Sequence, residues 1–327
     1  MKTDTRSKII SYLIEHHKAS PKQLVDFLKI TPQAIHRQLL RLTEDGQIEK
    51  RGAGPKVIYL LKTVRARKSN VSLPVEYSSV IEKSFTFFLP AGEREDGVEG
   101  FISFLESTGQ DKNVLDRAKE FCEIQETAEK FRDAYGLIDG TQKIINTFEE
   151  TCIEKVYYSD FYSLPKYGKS RLGQLLLHGK SGQEKSMIAE IFDITKGDVL
   201  NIIKRHDIDA VVFIPHSIPR KIPFLKEYQK LLKLPLPEVK LIKAYAGKVP
   251  IAQKSLSKLS ERITNARETI FVGDNDIPYK RVLLIDDALG SGATMNETAR
   301  KLLSQDVEVI GYVIVGSYKG FEVIKEV

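Results

Sequence analysis

The sequence predicts an α/β protein in which a twisted, mostly parallel sheet with flanking helices follows a small helical domain. One observation is residues 282–285, VLLI, a continuous apolar run that leads through a small-residue loop into a helical pattern, as a buried parallel strand does. A second is a pair of short helical patterns near the N-terminus, each beginning at a hydroxyl residue followed by proline. A third is a mainly helical stretch that runs to about residue 153. We therefore expect three parts, residues 1–64, 65–153 and 154–327.

The composition favours a soluble protein with packed cores. Of the 327 residues, 42% are hydrophobic and 29% are charged, and no apolar run approaches the roughly 20 residues that a membrane helix needs. The first residues, MKTDTRSK, lack the apolar core of a signal peptide. The two cysteines, Cys122 and Cys152, cannot form a zinc site alone and make a poor disulfide framework. We expect a cytoplasmic protein that does not bind membranes.

The positive charge is concentrated in the first 70 residues. There nine Lys and six Arg meet six Asp or Glu, a net charge of +9, whereas the whole chain carries +6. A basic N-terminal region followed by a nearly neutral remainder indicates that the N-terminal region binds a polyanion. A merely well-solvated face is the alternative.

The basic N-terminal region has the pattern of two short helices joined by a tight turn. Ser20 and Pro21 begin the helix PKQLVDFLK, and Thr31 and Pro32 begin the helix PQAIHRQLLRLTEDG. Two strands then flank the glycine-rich residues 51–56, RGAGPK. The stretch resembles the winged helices of bacterial transcription regulators over about 60 residues.

That resemblance implies a partner, double-stranded DNA. The second helix would lie in a major groove and the wing would contact phosphates, which position a protein without specifying sequence. A winged helix used for protein contacts is the alternative. The candidate DNA-contacting residues are Gln33, His36, Arg37 and Arg41 on the helix, and Arg51 and Lys56 on the wing.

The middle of the chain predicts a strand over residues 84–90 and then helices. One helical pattern places an apolar set on one side, which is either an intramolecular core or a dimer seam. Because helix-turn-helix proteins usually act as dimers, we expect a homodimer with its interface in this region. The apolar set is Leu115, Ala118, Phe121, Cys122, Ala128 and Phe131.

Residues 178–182, HGKSG, suggest a phosphate-binding P-loop, but the pattern fails. A P-loop needs glycine five residues before Gly179, where Gln174 stands. The preceding LLLH is also more typical of a helix than of a strand, so we reject this site.

Asp286 and Asp287 follow the apolar run directly and precede the small-residue loop. Such a loop lies at the carboxyl end of a strand, where open α/β sheets bind ligands. Its N–H groups, with the hydroxyls of Ser291 and Thr294, can hold a phosphate at the helix N-terminus. A dinucleotide fingerprint fails because Met295 occupies the third glycine position. Two carboxylates can accept hydrogen bonds from vicinal ribose hydroxyls, so the pattern predicts a sugar-phosphate site. An ordinary strand, loop and helix with a surface acidic pair is the alternative.

Four apolar residues, two acids and a Ser/Thr/Gly-rich loop resemble the signature with which type I phosphoribosyltransferases bind 5-phosphoribosyl-1-pyrophosphate (PRPP). The chain departs from it at Gly290, where Thr is common, and at Ala288, where a larger aliphatic residue is usual. Residues 155–318 more closely resemble ComF-like phosphoribosyltransferases. That likeness rests on the early segment YYSDFYSLPKYGKSRLGQLLLHGK and, in AQKSLSKLSERITNARETIFV, on Gln253, Leu256, Arg262, Asn265 and Phe271.

The resemblance implies the type I phosphoribosyltransferase fold and a role for each part of the site. Asp286 and Asp287 would be the catalytic pair that holds the ribose hydroxyls, and residues 248–262 would form a mobile loop over the site. Mg²⁺ would bind through pyrophosphate and water rather than through a direct protein ligand. The 5′-phosphate would be bound by Ala288, Gly290, Ser291, Gly292, Ala293 and Thr294. The candidates near pyrophosphate are His216, Ser217, Arg220, Lys254 and Arg262, although His216 is as well explained by a structural role.

Three functions fit these parts. The protein is a transcription regulator that senses PRPP or a related nucleotide, as purine repressors with this domain pair do. Alternatively, it is an active phosphoribosyltransferase, acting in nucleotide metabolism or DNA uptake by displacement of pyrophosphate at C1. In the third case it is an effector in phage defence.

Overall fold

The computed structural model describes residues 5–52, 56–61, 72–245, 247, 249–273 and 278–318, without the side chain of Lys254. It divides into two compact units, Met1–Lys68 and Ser69–Val327. None of the helices among these residues has both the length and the apolar composition needed to cross a membrane.

The first unit is a winged helix domain. Ser20 Oγ accepts a hydrogen bond from the backbone of Gln23, and Thr31 Oγ1 accepts one from Ala34, so both predicted helix starts are confirmed. The strands that flank the wing form an antiparallel pair, while residues 53–55 at the wing tip lie outside the described residues. Its elements are α1 (Thr5–His16), α2 (Pro21–Leu28), α3 (Pro32–Glu44), β1 (Ile48–Arg51) and β2 (Ile58–Leu61).

This unit has its own small core. Apolar side chains from every helix and both strands of this unit are buried there. The core residues are Ile9, Leu13, Ala19, Leu24, Ile35, Leu39, Leu42, Ile48 and Tyr59.

The second unit begins with a helix over Val75–Ser84 that the sequence did not predict. The strand predicted over residues 84–90 is present but shorter, Thr86–Phe88, and the helices predicted after it are confirmed. Ala118, Phe121 and Ala128 are buried, but Leu115 and Phe131 are 52% and 42% exposed, so placing all of them on one side was wrong. Phe131 departs because its helix ends at Glu129. The elements are α4 (Val75–Ser84), β3 (Thr86–Phe88), β4 (Arg94–Asp96), α5 (Gly97–Ser107), α6 (Val114–Glu129), β5 (Ile138–Asp139) and α7 (Thr141–Thr147).

The remaining residues build the parallel sheet and its flanking helices. Its order is β10-β9-β13-β14-β6-β5, in which all neighbours are parallel except β5, so the predicted α/β fold is confirmed. The elements are β6 (Lys155–Phe161), β7 (Ser163–Leu164), β8 (Gly168–Lys169), α8 (Arg171–Gly182), α9 (Lys185–Arg205), β9 (Ala210–Phe213), α10 (Phe224–Leu232), β10 (Glu238–Val239), β11 (Leu241–Lys243), α11 (Leu259–Thr269), β12 (Ile270–Val272), β13 (Arg281–Leu289), α12 (Ala293–Leu303) and β14 (Glu308–Gly316).

Residues 75–153 do not stand apart from the sheet, although the sequence predicted a separate connector over 65–153. The strand β5 pairs with β6, and the side chains of α5 and α6 join the same hydrophobic core as the sheet. Asn296 in α12 accepts a hydrogen bond from the backbone of Cys152 at 2.9 Å and donates one to the carbonyl of Glu150 at 3.0 Å. This segment therefore supports the helix that follows the small-residue loop.

Candidate functional site

The acidic pair lies near the carboxyl end of β13, a central strand between β9 and β14. The backbone N–H of Asp287 donates to Asp286 Oδ1 at 2.8 Å. Lys180, from α8, places its Nζ 2.8 Å from Asp287 Oδ2, and the two side chains are only 16% and 19% exposed. A lysine thus neutralises half of the pair.

The environment of the acidic pair shifts the pKa of Asp286 and of Lys243. Burial, together with the charge of Asp287, raises the pKa of Asp286 to about 8. Burial also lowers the pKa of Lys243 to about 8, although the charge of Asp286 opposes that shift. Two acids and two lysines therefore form one electrostatic cluster at the end of the strand.

The loop after the acidic pair ends in an open helix N-terminus. Gly292 is the N-cap of α12, has φ +80°, and supplies no capping side chain. A Cβ added there would lie 2.3 Å from Ile144 Cδ1, so glycine is required for both its conformation and its size. The nearest hydroxyl is weakly engaged, because Ser291 Oγ lies 3.4 Å from the backbone nitrogen of Ala293. N–H groups at an uncapped helix start bind anions.

The loop after β9 carries the residues expected near pyrophosphate. Arg220 Nη1 donates to the carbonyl of Lys180 at 2.5 Å, and the carbonyl of Ser217 accepts from the hydroxyl of Tyr245. Burial, followed by the charge of nearby cations, lowers the pKa of His216, which favours its neutral form. The loop is thereby tied to α8, the helix that also reaches the acidic pair.

The segment expected to close over the site is partly helical. Arg262 is buried in the first turns of α11, and its Nε donates to the carbonyl of Leu256 at 2.9 Å, so it is not a free loop cation. Gln253 lies in a short 3-10 turn, and its side-chain amide donates a hydrogen bond to the hydroxyl of Thr294 in the first turn of α12. Lys248 and the side chain of Lys254 lie outside the described part of the chain.

These parts line one pocket of about 490 Å³, within the range of small-ligand sites. Among the described residues that line it are five cationic side chains and three carboxylates, an excess that suits a polyanionic ligand. Every described residue predicted for the sugar-phosphate site reaches this lining: the pocket joins His216, Ser217, Arg220, Arg262, Asp286, Asp287, Ala288, Gly290, Ser291, Gly292, Ala293 and Thr294.

The predicted DNA-contacting residues lie on one exposed face of α3. Gln33, His36, Arg37 and Arg41 recur at helical spacing and are all exposed. Between them Leu40 is 60% exposed, which the sequence reasoning missed. On the wing, Arg51 and Lys56 are exposed, and Arg51 pairs with Glu49 at 2.6 Å.

Comparison with protein families matches both ends of the chain. Residues 2–49 match the model described as winged helix-turn-helix DNA-binding, and residues 220–319 match the phosphoribosyl transferase domain. The protein carries a phosphoribosyl transferase domain behind a winged helix-turn-helix. Both resemblances seen in the sequence are confirmed at this level, while the ComF-like subgroup stays a prediction. No curated protein matches the chain.

The site includes residues to which the sequence analysis gave no role. Lys180 belongs to the rejected HGKSG segment; it lies in α8, and its Nζ meets a carboxylate of the pocket. Lys243 lies at the end of β11, and Gln253 lies within residues 248–262, the segment expected to close over the site. Gln253 belongs to the ComF-like pattern seen in the sequence, but that pattern assigned it no role.

Proposed function

We propose that the protein is a DNA-binding regulator whose phosphoribosyl transferase domain senses PRPP or a related nucleotide. The observation that carries the ligand assignment is the arrangement around loop 288–292. Two carboxylates stand at its start and the uncapped N-terminus of α12 stands at its end. A ribose diol needs acceptors and a 5′-phosphate needs donors, and this loop offers both.

The cationic side of the pocket suits the pyrophosphate of the same ligand. Arg220 and Lys180 contribute positive charge there, and the guanidinium of Arg220 donates a hydrogen bond to the backbone carbonyl of Lys180. No group of three or more His, Cys, Asp or Glu able to hold a metal occurs among the described residues. Mg²⁺ would instead arrive bound to pyrophosphate and water, and it would neutralise phosphate charge.

The sensing role is supported by the double engagement of α8. Lys180 bonds to Asp287 through its side chain and to Arg220 through its carbonyl, and Gln183 accepts from the backbone of Ile222 at 2.9 Å. A ligand that engages the acidic pair and the pyrophosphate loop together therefore acts on one helix at two points. We further propose that the protein works as a homodimer, since paired winged helices read two half-sites.

Turnover of PRPP is the second candidate. It is favoured by Asp286, whose raised pKa makes it able to exchange a proton near neutral pH beside the proposed ribose position.

DNA binding with and without the ligand separates the two functions. Fluorescence anisotropy on a duplex selected from a random pool is measured with and without saturating PRPP and Mg²⁺, beside pyrophosphate release with a panel of bases. A sensor changes DNA affinity by about 5- to 150-fold, and DNA must change PRPP affinity by the same factor. Unchanged DNA affinity together with steady pyrophosphate release would refute sensing and establish the enzyme.

A further inference from the structure

The side-chain amide of Gln253 connects residues 248–262, the segment expected to close over the site, to the first turn of α12. Its Nε2 donates to Thr294 Oγ1 at 3.1 Å and to the carbonyl of Arg262 at 3.1 Å. A side-chain amide nitrogen has two hydrogens, so both are used. The carbonyl of Arg262 accepts only, which fixes the orientation of the amide and leaves Gln253 no choice but to donate to Thr294.

This contact determines how the Thr294 hydroxyl is used. A hydroxyl has one proton and two lone pairs, and accepting from Gln253 occupies a lone pair while leaving the proton to be donated elsewhere. Among the described residues no protein group accepts that proton. Thr294 is half-buried and lines the pocket beside the uncapped start of α12. Its O–H is therefore available to an acceptor inside the pocket.

The turn that carries Gln253 is itself held in place. Arg262 is buried, and its Nε donates to the carbonyl of Leu256 at 2.9 Å, which closes the segment between Gln253 and α11 into a hydrogen-bonded unit. This unit gives a physical reason for the side chains of Gln253 and Arg262, for which the sequence alone supplied no structural role.

We infer that Gln253 is a positioning residue that fixes the hydroxyl of Thr294 as a donor to the 5′-phosphate of the ligand. The inference rests on the proposed function, in which residues 288–294 bind that phosphate. Phosphate oxygens in the ionised ligand are acceptors, so a hydroxyl that points its proton at them binds without first turning. A donor oriented before binding avoids the cost of ordering it afterwards.

Isothermal titration compares the binding of two ligands, and it compares the effect of Gln253→Leu in wild type with its effect in a Thr294→Val variant. Ribose 5-phosphate probes the phosphate loop, and pyrophosphate probes the opposite side of the pocket. Gln253→Leu, which removes the donor, should lower the affinity for ribose 5-phosphate about five- to tenfold. It should leave the affinity for pyrophosphate within about twofold of wild type. Thr294→Val removes the hydroxyl at nearly constant volume, and in that background Gln253→Leu should have no further effect.

A second variant reverses the hydrogen bond. In Gln253→Glu the carboxylate can accept the proton of Thr294, which turns the hydroxyl away from the ligand, so ribose 5-phosphate should weaken more than with Gln253→Leu. Thermal melting shows whether each variant is folded. Because Glu is isosteric with Gln, this variant keeps the test valid if Gln253→Leu fails to fold.

Four outcomes overturn the inference. Equal effects of Gln253→Leu in both backgrounds, or equal loss of both ligands, would make Gln253 a purely structural tie. A Gln253→Glu variant that binds ribose 5-phosphate as well as wild type would show that the hydroxyl's direction is immaterial. If wild type binds neither ribose 5-phosphate nor PRPP, the proposed ligand itself is wrong and the inference falls with it.

Discussion

The Nζ of Lys180 lies 2.8 Å from Oδ2 of Asp287, and this pair joins α8 to the carboxyl end of β13. Both side chains are largely withdrawn from water, so each depends on the other for compensation of its charge. The pair also lies where the ligand's diol is proposed to bind. The same contact therefore contributes to folding and sets the charge that the ligand meets.

Replacing Lys180 with Met should destabilise the protein by about 3 kcal/mol, because it leaves a largely buried carboxylate unpaired. Urea unfolding at neutral pH measures the change. The matched control is Lys130→Met, since Lys130 pairs with Glu126 at 3.6 Å with both side chains exposed, 69% and 74%, and exposed pairs contribute about 1 kcal/mol or less. Adding Asp287→Asn to Lys180→Met should restore part of the loss. Equal stability of wild type and Lys180→Met would show that the pair is immaterial.

Removing the carboxylates should remove PRPP binding. Asp286→Asn with Asp287→Asn deletes the carboxylate acceptors for the diol. Above about pH 8, where Asp286 is ionised, each single change should weaken binding at least about tenfold, since a charged hydrogen bond contributes about 1.5–3 kcal/mol. Isothermal titration with PRPP and Mg²⁺ measures it. Equal affinity in wild type and double variant would rule out the diol assignment.

The raised pKa of Asp286 predicts a pH-dependent stability. An acid whose folded pKa lies near 8, above its unfolded value near 4, stabilises the fold at low pH and loses that contribution as pH rises between those values. Asp286→Asn cannot titrate. Its free energy of unfolding relative to wild type should therefore improve by about 1 kcal/mol or more between about pH 5 and 7.5.

This range avoids most of the titration of Lys243, whose pKa is lowered to about 8. Asp193→Asn serves as the control, because Asp193 is 66% exposed in a surface pair with Lys196. A difference between Asp286→Asn and wild type that stays constant across this range would contradict the prediction.

The sequence predicted those parts of the site that depend on neighbouring residues. The run VLLI marked β13, and the small-residue loop marked the turn into α12, because both follow from local backbone preferences. Lys180 could not be assigned, since it reaches Asp287 from about one hundred residues away and only the packing of α8 against the sheet brings them together. The exposure of Leu115 and the shared core of residues 75–153 were missed for the same reason.

Gly292 should not tolerate alanine. Its φ of +80° and a Cβ contact of 2.3 Å with Ile144 Cδ1 predict a loss of about 2 kcal/mol or more, measured by thermal or urea unfolding. Ile144→Val removes Cδ1 and should recover the steric part but not the backbone part. Gly197→Ala is the control, because nothing lies within 4 Å of its Cβ and it lies inside α9. That change should stabilise by about 0.5–1 kcal/mol. Similar results for both glycines would refute the special role of Gly292.

The exposed face of α3 and the wing should contribute differently to DNA binding. Wing cations such as Lys56 meet phosphates, so Lys56→Ala should weaken all duplexes alike and reduce the salt dependence of binding. Arg37 lies on the exposed face of α3 that we propose enters the groove, and Arg37→Ala should relax preference at one base pair at a cost of about 1–3 kcal/mol. Anisotropy of the full-length protein on a selected duplex and its single-base variants measures both.

Leu40 is an exposed apolar residue on the same face of α3. An apolar side chain that enters a major groove can contact the methyl group of thymine. Replacing one thymine at a time by deoxyuridine removes that methyl and nothing else. One such position should weaken wild type by a few-fold and leave Leu40→Ala unaffected, because the lost methyl then has no partner. If no position shows this coupling while Arg37→Ala still changes base preference, Leu40 lies outside the groove. If no duplex binds at low salt, the winged helix contacts protein instead of DNA.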